Sequence, residues 1–207
     1  MIQKFDDNTA LLIIDVQKGV NDTAYYGGPN GQRNNLDAEA NQRQLLEAWR
    51  ALGGLVVFTC HDSIEPNSPL KLSLPTGGQL PGLEIHDGEI KIVKDVNSGF
   101  IGTDLEIKLR RHGIFRLIIA GFFTNMCVET TTRMAGNLGY DSYLVHDACA
   151  AMNATGPNGQ KFAADVVHDM AVANLHGEFC TAIDTREALT LMKQDLPGRD
   201  RAQGNEP

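Results

Sequence analysis

Apolar and polar positions along the 207 residues alternate between two kinds of segment. Short runs that are apolar throughout read as strands buried on both faces, and stretches with apolar residues every three or four positions read as helices. The first strand is "TALLIID", residues 9–15, which ends in an acid. Residues 17–34, "QKGVNDTAYYGGPNGQRN", are rich in glycine, asparagine and aromatic residues and predict a long loop. A helix follows from about Asn35, with Leu45, Leu46, Trp49 and Leu52 on one face and Gly53 and Gly54 as its stop. "LVVFTC", residues 55–60, is the second strand, and "IKIVK", residues 90–94, the third. Thr103 and Glu106 match a capping box that opens a helix carrying Leu105 and Leu109. "FRLIIA", residues 115–120, is the fourth strand. Beyond it Val128, Thr131, Thr132, Ala135 and Leu138 recur at helical spacing, with Cys127 at the start of that helix. "YDSYLVHDA", residues 140–148, is the fifth strand. Phe162, Val166, Met170 and Ala173 mark a further helix that Gly177 ends, and "EFCTAI", residues 178–183, is the sixth strand.

This alternation predicts an α/β fold: a three-layer α/β/α sandwich around a six-stranded, mostly parallel sheet. Residues 1–194 form a single domain in this reading, and 195–207, "DLPGRDRAQGNEP", a polar frayed tail. The span 61–89 has four prolines and no periodicity, the mark of a functional lid. In open α/β sheets ligands bind at the carboxyl ends of the strands, so that edge is where chemistry is expected.

Composition narrows the possible partners. With 18 basic and 26 acidic residues the net charge is −8, which argues against nucleic acid and against an anionic membrane surface. No stretch approaches the roughly 18 apolar residues of a membrane span, and "MIQKFDDN" is too polar for a secretory signal. The four cysteines, Cys60, Cys127, Cys149 and Cys180, include no CxxC pair. They read as reduced thiols of a cytoplasmic protein rather than as a disulfide frame or a zinc site.

Three reactive side chains fall at or just past predicted strand ends: Asp15, Lys94 and Cys127. Singly, each has a plain explanation as a turn former, a solvated lysine or a buried thiol. Together they suit thiol chemistry. A helix N-terminus and a nearby cation lower a thiol's pKa from about 8.5, and an aspartate can take the thiol proton and later deliver it to a leaving amine. No histidine is placed near Cys127 for a papain-like pair.

At these residues the chain resembles the isochorismatase-like cysteine hydrolases, which include nicotinamidase, N-carbamoylsarcosine amidase, ureidoacrylate amidohydrolase and streptothricin hydrolase. The resemblance rests on "ALLIIDVQKG" with Asp15, "VKDVNSGFIGTDLE" with Lys94 and "IIAGFFTNMCVETTTRMAGNLGYD" with Cys127, and it covers roughly residues 8–185. It implies a catalytic triad of Asp15, Lys94 and Cys127. It also implies a cis Phe122–Phe123 bond that aims the Phe123 N–H beside the Cys127 N–H as an oxyanion hole. The activity implied is hydrolysis of a C–N bond in a small amide, ureide or lactam through a thioester. No cofactor is expected, and the implied assembly is a homo-oligomer, a dimer or tetramer.

Tyr25, Tyr26, His61, Phe122 and Phe123 are the candidates for binding substrate. Metal-binding relatives carry an Asp-x-His pair and a second histidine after the second strand. Here that place reads "CHDSIEPNSPLKL", with His61 beside Asp62 and His86 farther along, and no metal is expected. Two other readings stay open: an isochorismatase-type ether hydrolase, and a thiol redox sensor in which Cys149 resolves an oxidised Cys127.

Overall fold

The computed structural model describes residues 2, 4–27 and 32–193. The apolar runs become β1 (Thr9–Ile14), β2 (Leu55–His61), β3 (Ile90–Lys94), β4 (Arg116–Phe122) and β5 (Asp141–Ala150). Two short strands follow, β6 (Ala154–Thr155) and β7 (Lys161–Phe162), and then β8 (Thr181–Ile183). The helices are α1 (Thr23–Gly27), α2 (Ala38–Ala51), α3 (Leu105–Arg111), α4 (Glu129–Asn137), α5 (Ala164–Leu175) and α6 (Thr185–Lys193). β6 and β7 pair only with each other, as a small hairpin. The remaining six strands form one parallel sheet in the order β3-β2-β1-β4-β5-β8.

Every position of β1 is buried, because helices cover both faces of the sheet. Leu11 and Ile13 pack on one side with Leu45, Leu46 and Trp49 of α2 and with Ala188 and Met192 of α6. Ala10, Leu12 and Ile14 pack on the other with Leu105 and Leu109 of α3, Ala135 of α4 and Leu175 of α5. The chain runs outward from β1 to β3, then returns beside β1 as β4 and proceeds to β8. The strand order therefore reverses between β1 and β4, the place where such sheets open a crevice at their carboxyl edge. Gly121 sits there with φ 137°, and a Cβ on it would lie 2.1 Å from the Ile14 carbonyl oxygen. Glycine alone lets the two strands approach this closely.

Several local expectations change. Residues 17–34 are not one loop: a 3₁₀ turn occupies Lys18–Asn21 and α1 follows, both too short to leave a periodic signal. Positions 28–31 of that segment, like the tail 195–207, lie outside the described residues. The capping box does not form. Asp104 is the residue before α3, and Thr103 Oγ1 instead accepts from the Leu105 N–H at 3.3 Å and donates to the Gly99 carbonyl at 2.6 Å. On α5 the predicted face is the wrong one, since Val166 and Met170 are exposed while Ala164, His168, Ala171 and Leu175 are buried. A histidine in the inward stripe disguised it. The final helix α6 has no counterpart in the sequence reading.

The span 61–89 is fastened down rather than built as a swinging cover. Leu70, Leu80 and Leu83 are part of the core. The Leu80 N–H donates to the Val16 carbonyl at 2.9 Å, the Lys18 N–H to that of Gly78 at 2.8 Å, and the Ser63 N–H to that of Leu70 at 2.7 Å. A Cβ on Gly77 would lie 2.1 Å from the Lys71 carbonyl oxygen, so backbone meets backbone there. We expect Gly77→Ala to lower stability by about 1–3 kcal/mol through overpacking. In urea unfolding this appears as a lower midpoint with an unchanged slope.

Candidate active site

Parallel register brings the reactive residues to one edge. His61 pairs with Lys94 at the ends of β2 and β3, while Ile14 at the end of β1 pairs with Thr59 on one side and Gly121 on the other. Asp15 follows immediately, in the left-handed region at φ 52°, where aspartate is tolerated better than most residues. Its carboxylate accepts from Thr59 Oγ1 at 2.6 Å on one oxygen and from Lys94 Nζ at 2.6 Å on the other. Both partners of this ion pair are buried, with side-chain exposures of 0% for Lys94 and 1% for Asp15.

Cys127 lies in a π-helical turn, Thr124–Val128, between β4 and α4, and the Phe122–Phe123 bond that leads into the turn is cis. Lys94 Nζ reaches Cys127 Sγ at 3.3 Å, as well as His61 Nδ1 at 2.9 Å and the Val96 carbonyl at 3.2 Å. Asp15, Lys94 and Cys127, which the sequence placed at three separate strand ends, thus meet around one ammonium group.

The electrostatics of the cluster depart from expectation at the sulfur. Burial, then the Asp15 carboxylate, push the Cys127 thiol well above its ordinary range, and Lys94 offsets only part of this. The thiol therefore rests protonated near neutral pH. Burial works against the Lys94 charge, but Asp15 and then Cys127 outweigh it, so the pKa is raised and the ammonium is kept.

His61 corrects the expectation that no histidine stands near Cys127. Oxygen of Asp15, ring nitrogen of His61 and sulfur of Cys127 all lie within 4.8 Å of one another. Burial, then Lys94, lower the His61 pKa, with Asp15, Asp95 and Asp62 opposing, so the ring is neutral at neutral pH. Gln17, which the sequence reading missed, holds the His61 backbone from both sides: its Oε1 accepts from the His61 N–H at 2.7 Å and its Nε2 donates to the His61 carbonyl at 2.9 Å. The donor spacing of Asp15, His61 and Cys127 would suit a metal, but Lys94 Nζ already stands among these atoms as their cation. Among the described residues His61, Asp62 and His86 form no such group. Asp62 instead accepts from the Leu72 N–H at 2.9 Å.

A cavity of about 790 Å³ is lined by Tyr26, Gln32, Asn125, Met126, Met152 and Phe162 among others; Asp15, His61, Lys94 and Cys127 are not in its lining. Asn125 and Met126 belong to the turn that holds Cys127, and Phe162 to the β6–β7 hairpin. Of the candidates for substrate contact, Tyr26 lines this space. Tyr25 is 43% exposed and packs edge-on against Tyr26. Phe122 and Phe123 are core residues, the latter with its ring 4.6 Å from that of Tyr26. They support the wall instead of forming it.

A family model described as the isochorismatase domain matches residues 9–187. YrdC, an isochorismatase family protein of Bacillus subtilis, is 40% identical over 187 residues, which is 89% of this chain and 96% of YrdC. Streptothricin hydrolase of Streptomyces noursei is 32% identical over 147 residues, covering 68% of this chain and 49% of that enzyme. Among solved structures, an isochorismatase-family protein of Chromobacterium violaceum superposes with a TM-score of 0.85 at 40% identity, over 91% of this chain and 96% of the other. The sheet order, the meeting of Asp15, Lys94 and Cys127 at its carboxyl edge, and these matches across most of the length agree: this chain belongs to the isochorismatase family of hydrolases.

Proposed function

We propose that this protein hydrolyses a C–N bond of a small amide, ureide or lactam through a thioester on Cys127. The observation that carries this reading is the single ammonium of Lys94 shared between the carboxylate of Asp15 and the sulfur of Cys127. As Sγ attacks the carbonyl carbon, its proton passes to Asp15, which the raised thiol pKa requires to happen during the attack. The negative charge then resides on the substrate oxygen, and the N–H groups of Phe123 and Cys127 are the donors assigned to it. Collapse of the tetrahedral adduct breaks the C–N bond, and the departing nitrogen takes the proton back from Asp15. Water then attacks the thioester while giving a proton to Asp15, the C–S bond breaks, and the sulfur is reprotonated. Lys94 keeps its charge throughout and balances whichever of Asp15 or Cys127 is anionic.

The redox alternative finds little support at its second cysteine. Cys149 is fully buried in β5, its thiol donates to the Val145 carbonyl, and burial pushes its pKa up, so it lacks the thiolate character a resolving cysteine needs. We take the protein to be cytoplasmic, in keeping with its reduced thiols. Among the described residues no helix is long and apolar enough to cross a membrane. We also take it to be a homo-oligomer, a reading supported by the exposed Val166 and Met170 one turn apart on α5. Light scattering at micromolar concentration should return at least twice the 22.5 kDa chain mass, and a monomer would refute this.

A screen of small amides, ureides and lactams, scored by release of ammonia or amine, should identify substrates. On any of them Cys127→Ala and Cys127→Ser should remove turnover while the far-ultraviolet circular dichroism is retained. Mass spectrometry of a slow substrate should find the acyl group on Cys127 and on no other cysteine. Turnover by Cys127→Ala would end the nucleophile assignment.

Asp15→Asn separates the two roles of the carboxylate. Turnover should fall by about two to four orders of magnitude, because the amide cannot accept the thiol proton. Alkylation of Cys127 by iodoacetamide should instead become faster, since the negative charge that holds the thiol pKa up has gone. A parallel loss of both rates would contradict this assignment.

A further inference from the structure

The inward face of α5 carries His168, only 4% exposed, at a position where a core would ordinarily hold an apolar side chain. Its Nδ1 lies 2.9 Å from Oγ1 of Thr124, the first residue of the turn that presents Cys127. Its Nε2 lies 3.4 Å from Nδ2 of Asn35, just ahead of α2. That amide nitrogen also donates to the carbonyls of Cys149 at 2.8 Å and His146 at 3.2 Å, which fixes its orientation. Both hydrogens of that amide are taken by carbonyls, so the 2.9 Å contact with Thr124 Oγ1 is the ring's short hydrogen bond. Nδ1 and Thr124 Oγ1 share one hydrogen bond, in which the hydroxyl is able either to give or to take the proton. Burial, then His146 on β5, lower the pKa of the ring and keep it neutral, while Asp169 and Asp165 on α5 and Asp147 on β5 oppose this in part.

The turn that receives this bond is not a regular helix. Met126 departs from helical conformation, and the N–H groups of Met126 and Val128 both return to the Phe123 carbonyl. Contacts at the ends of the turn therefore set where Cys127 stands relative to Lys94, and at 3.3 Å that contact has little room for displacement.

We propose that His168 is a positioning residue for the nucleophile: the hydrogen bond at its Nδ1 holds Thr124, and through it the turn that carries Cys127, in register with Lys94. The same turn supplies Asn125 and Met126 to the neighbouring cavity, so α5 aligns the sulfur and one wall of the cavity together.

The test is the rate of Cys127 alkylation by iodoacetamide at pH 8, read by mass spectrometry on the peptide containing it. This needs no substrate, so it stands whether or not the amide reading does. Asparagine places its amide where Nδ1 was, able to donate or accept, whereas glutamine carries its amide farther out, where Nε2 was. Thr124→Ser keeps the hydroxyl, and Thr124→Val removes it at constant shape. We expect His168→Asn and Thr124→Ser to react within about threefold of wild type. His168→Gln and Thr124→Val should depart from the wild-type rate by about tenfold or more, and the double variant by no more than the more affected single. Equal rates for the asparagine and glutamine variants, or wild-type rates in all four, would overturn the proposal. Should neither His168 variant give a cooperative thermal melt, the serine–valine contrast at Thr124 decides it.

Discussion

The ion pair between Lys94 and Asp15, 2.6 Å apart and withdrawn from water, is the constraint around which the active edge is built. Burying two charges is costly, and a buried pair holds only when further hydrogen bonds satisfy the atoms left over. Those bonds are present. Thr59 serves the second carboxylate oxygen, and His61, the Val96 carbonyl and Cys127 surround the ammonium. Removing either charge would leave the other stranded, at a cost of about 3–5 kcal/mol. The pair therefore links the carboxyl ends of β1 and β3 across β2.

That lock accounts for the stiffness around it. Gln17, two residues beyond Asp15, ties the end of β2 to the Gly77 carbonyl and so brings the long 61–89 segment under the same control. The stretch is packed against the body of the protein instead of hinged over it. On the other side of β1, Gly121 lets β4 come close enough for its following turn to deliver a sulfur to the same ammonium. These groups are held in place by partners within the protein, which is the condition under which fixed charges are most effective.

What the sequence revealed follows from the physics of each signal. Strands buried on both faces are apolar at most positions, so β1, β2 and β4 stand out, with Asp15 and Cys127 just past β1 and β4 and Lys94 at the end of β3. His61 was legible as a residue but not as a neighbour of Cys127, because strand register across a parallel crossover is set by packing that no local pattern encodes. His168 hid the true face of α5, since a polar residue in a buried stripe shifts the apparent periodicity to Val166 and Met170. The five-residue α1 and the short turn before it are too brief to repeat any pattern. Gln17 read as loop; only its burial shows that it is a brace.

The protonated state of Cys127 has a consequence for the life of the protein in the cell. Peroxide and stray electrophiles attack the thiolate form, and a sulfur kept neutral by burial and by an adjacent carboxylate offers them little of it. In the mechanism proposed above, its nucleophilicity is released when Asp15 takes the proton, a step that an acceptor carbonyl promotes and a passing oxidant does not. On that reading the sulfur is sheltered from the chemistry that ages exposed cysteines, and selectivity begins with the sulfur itself.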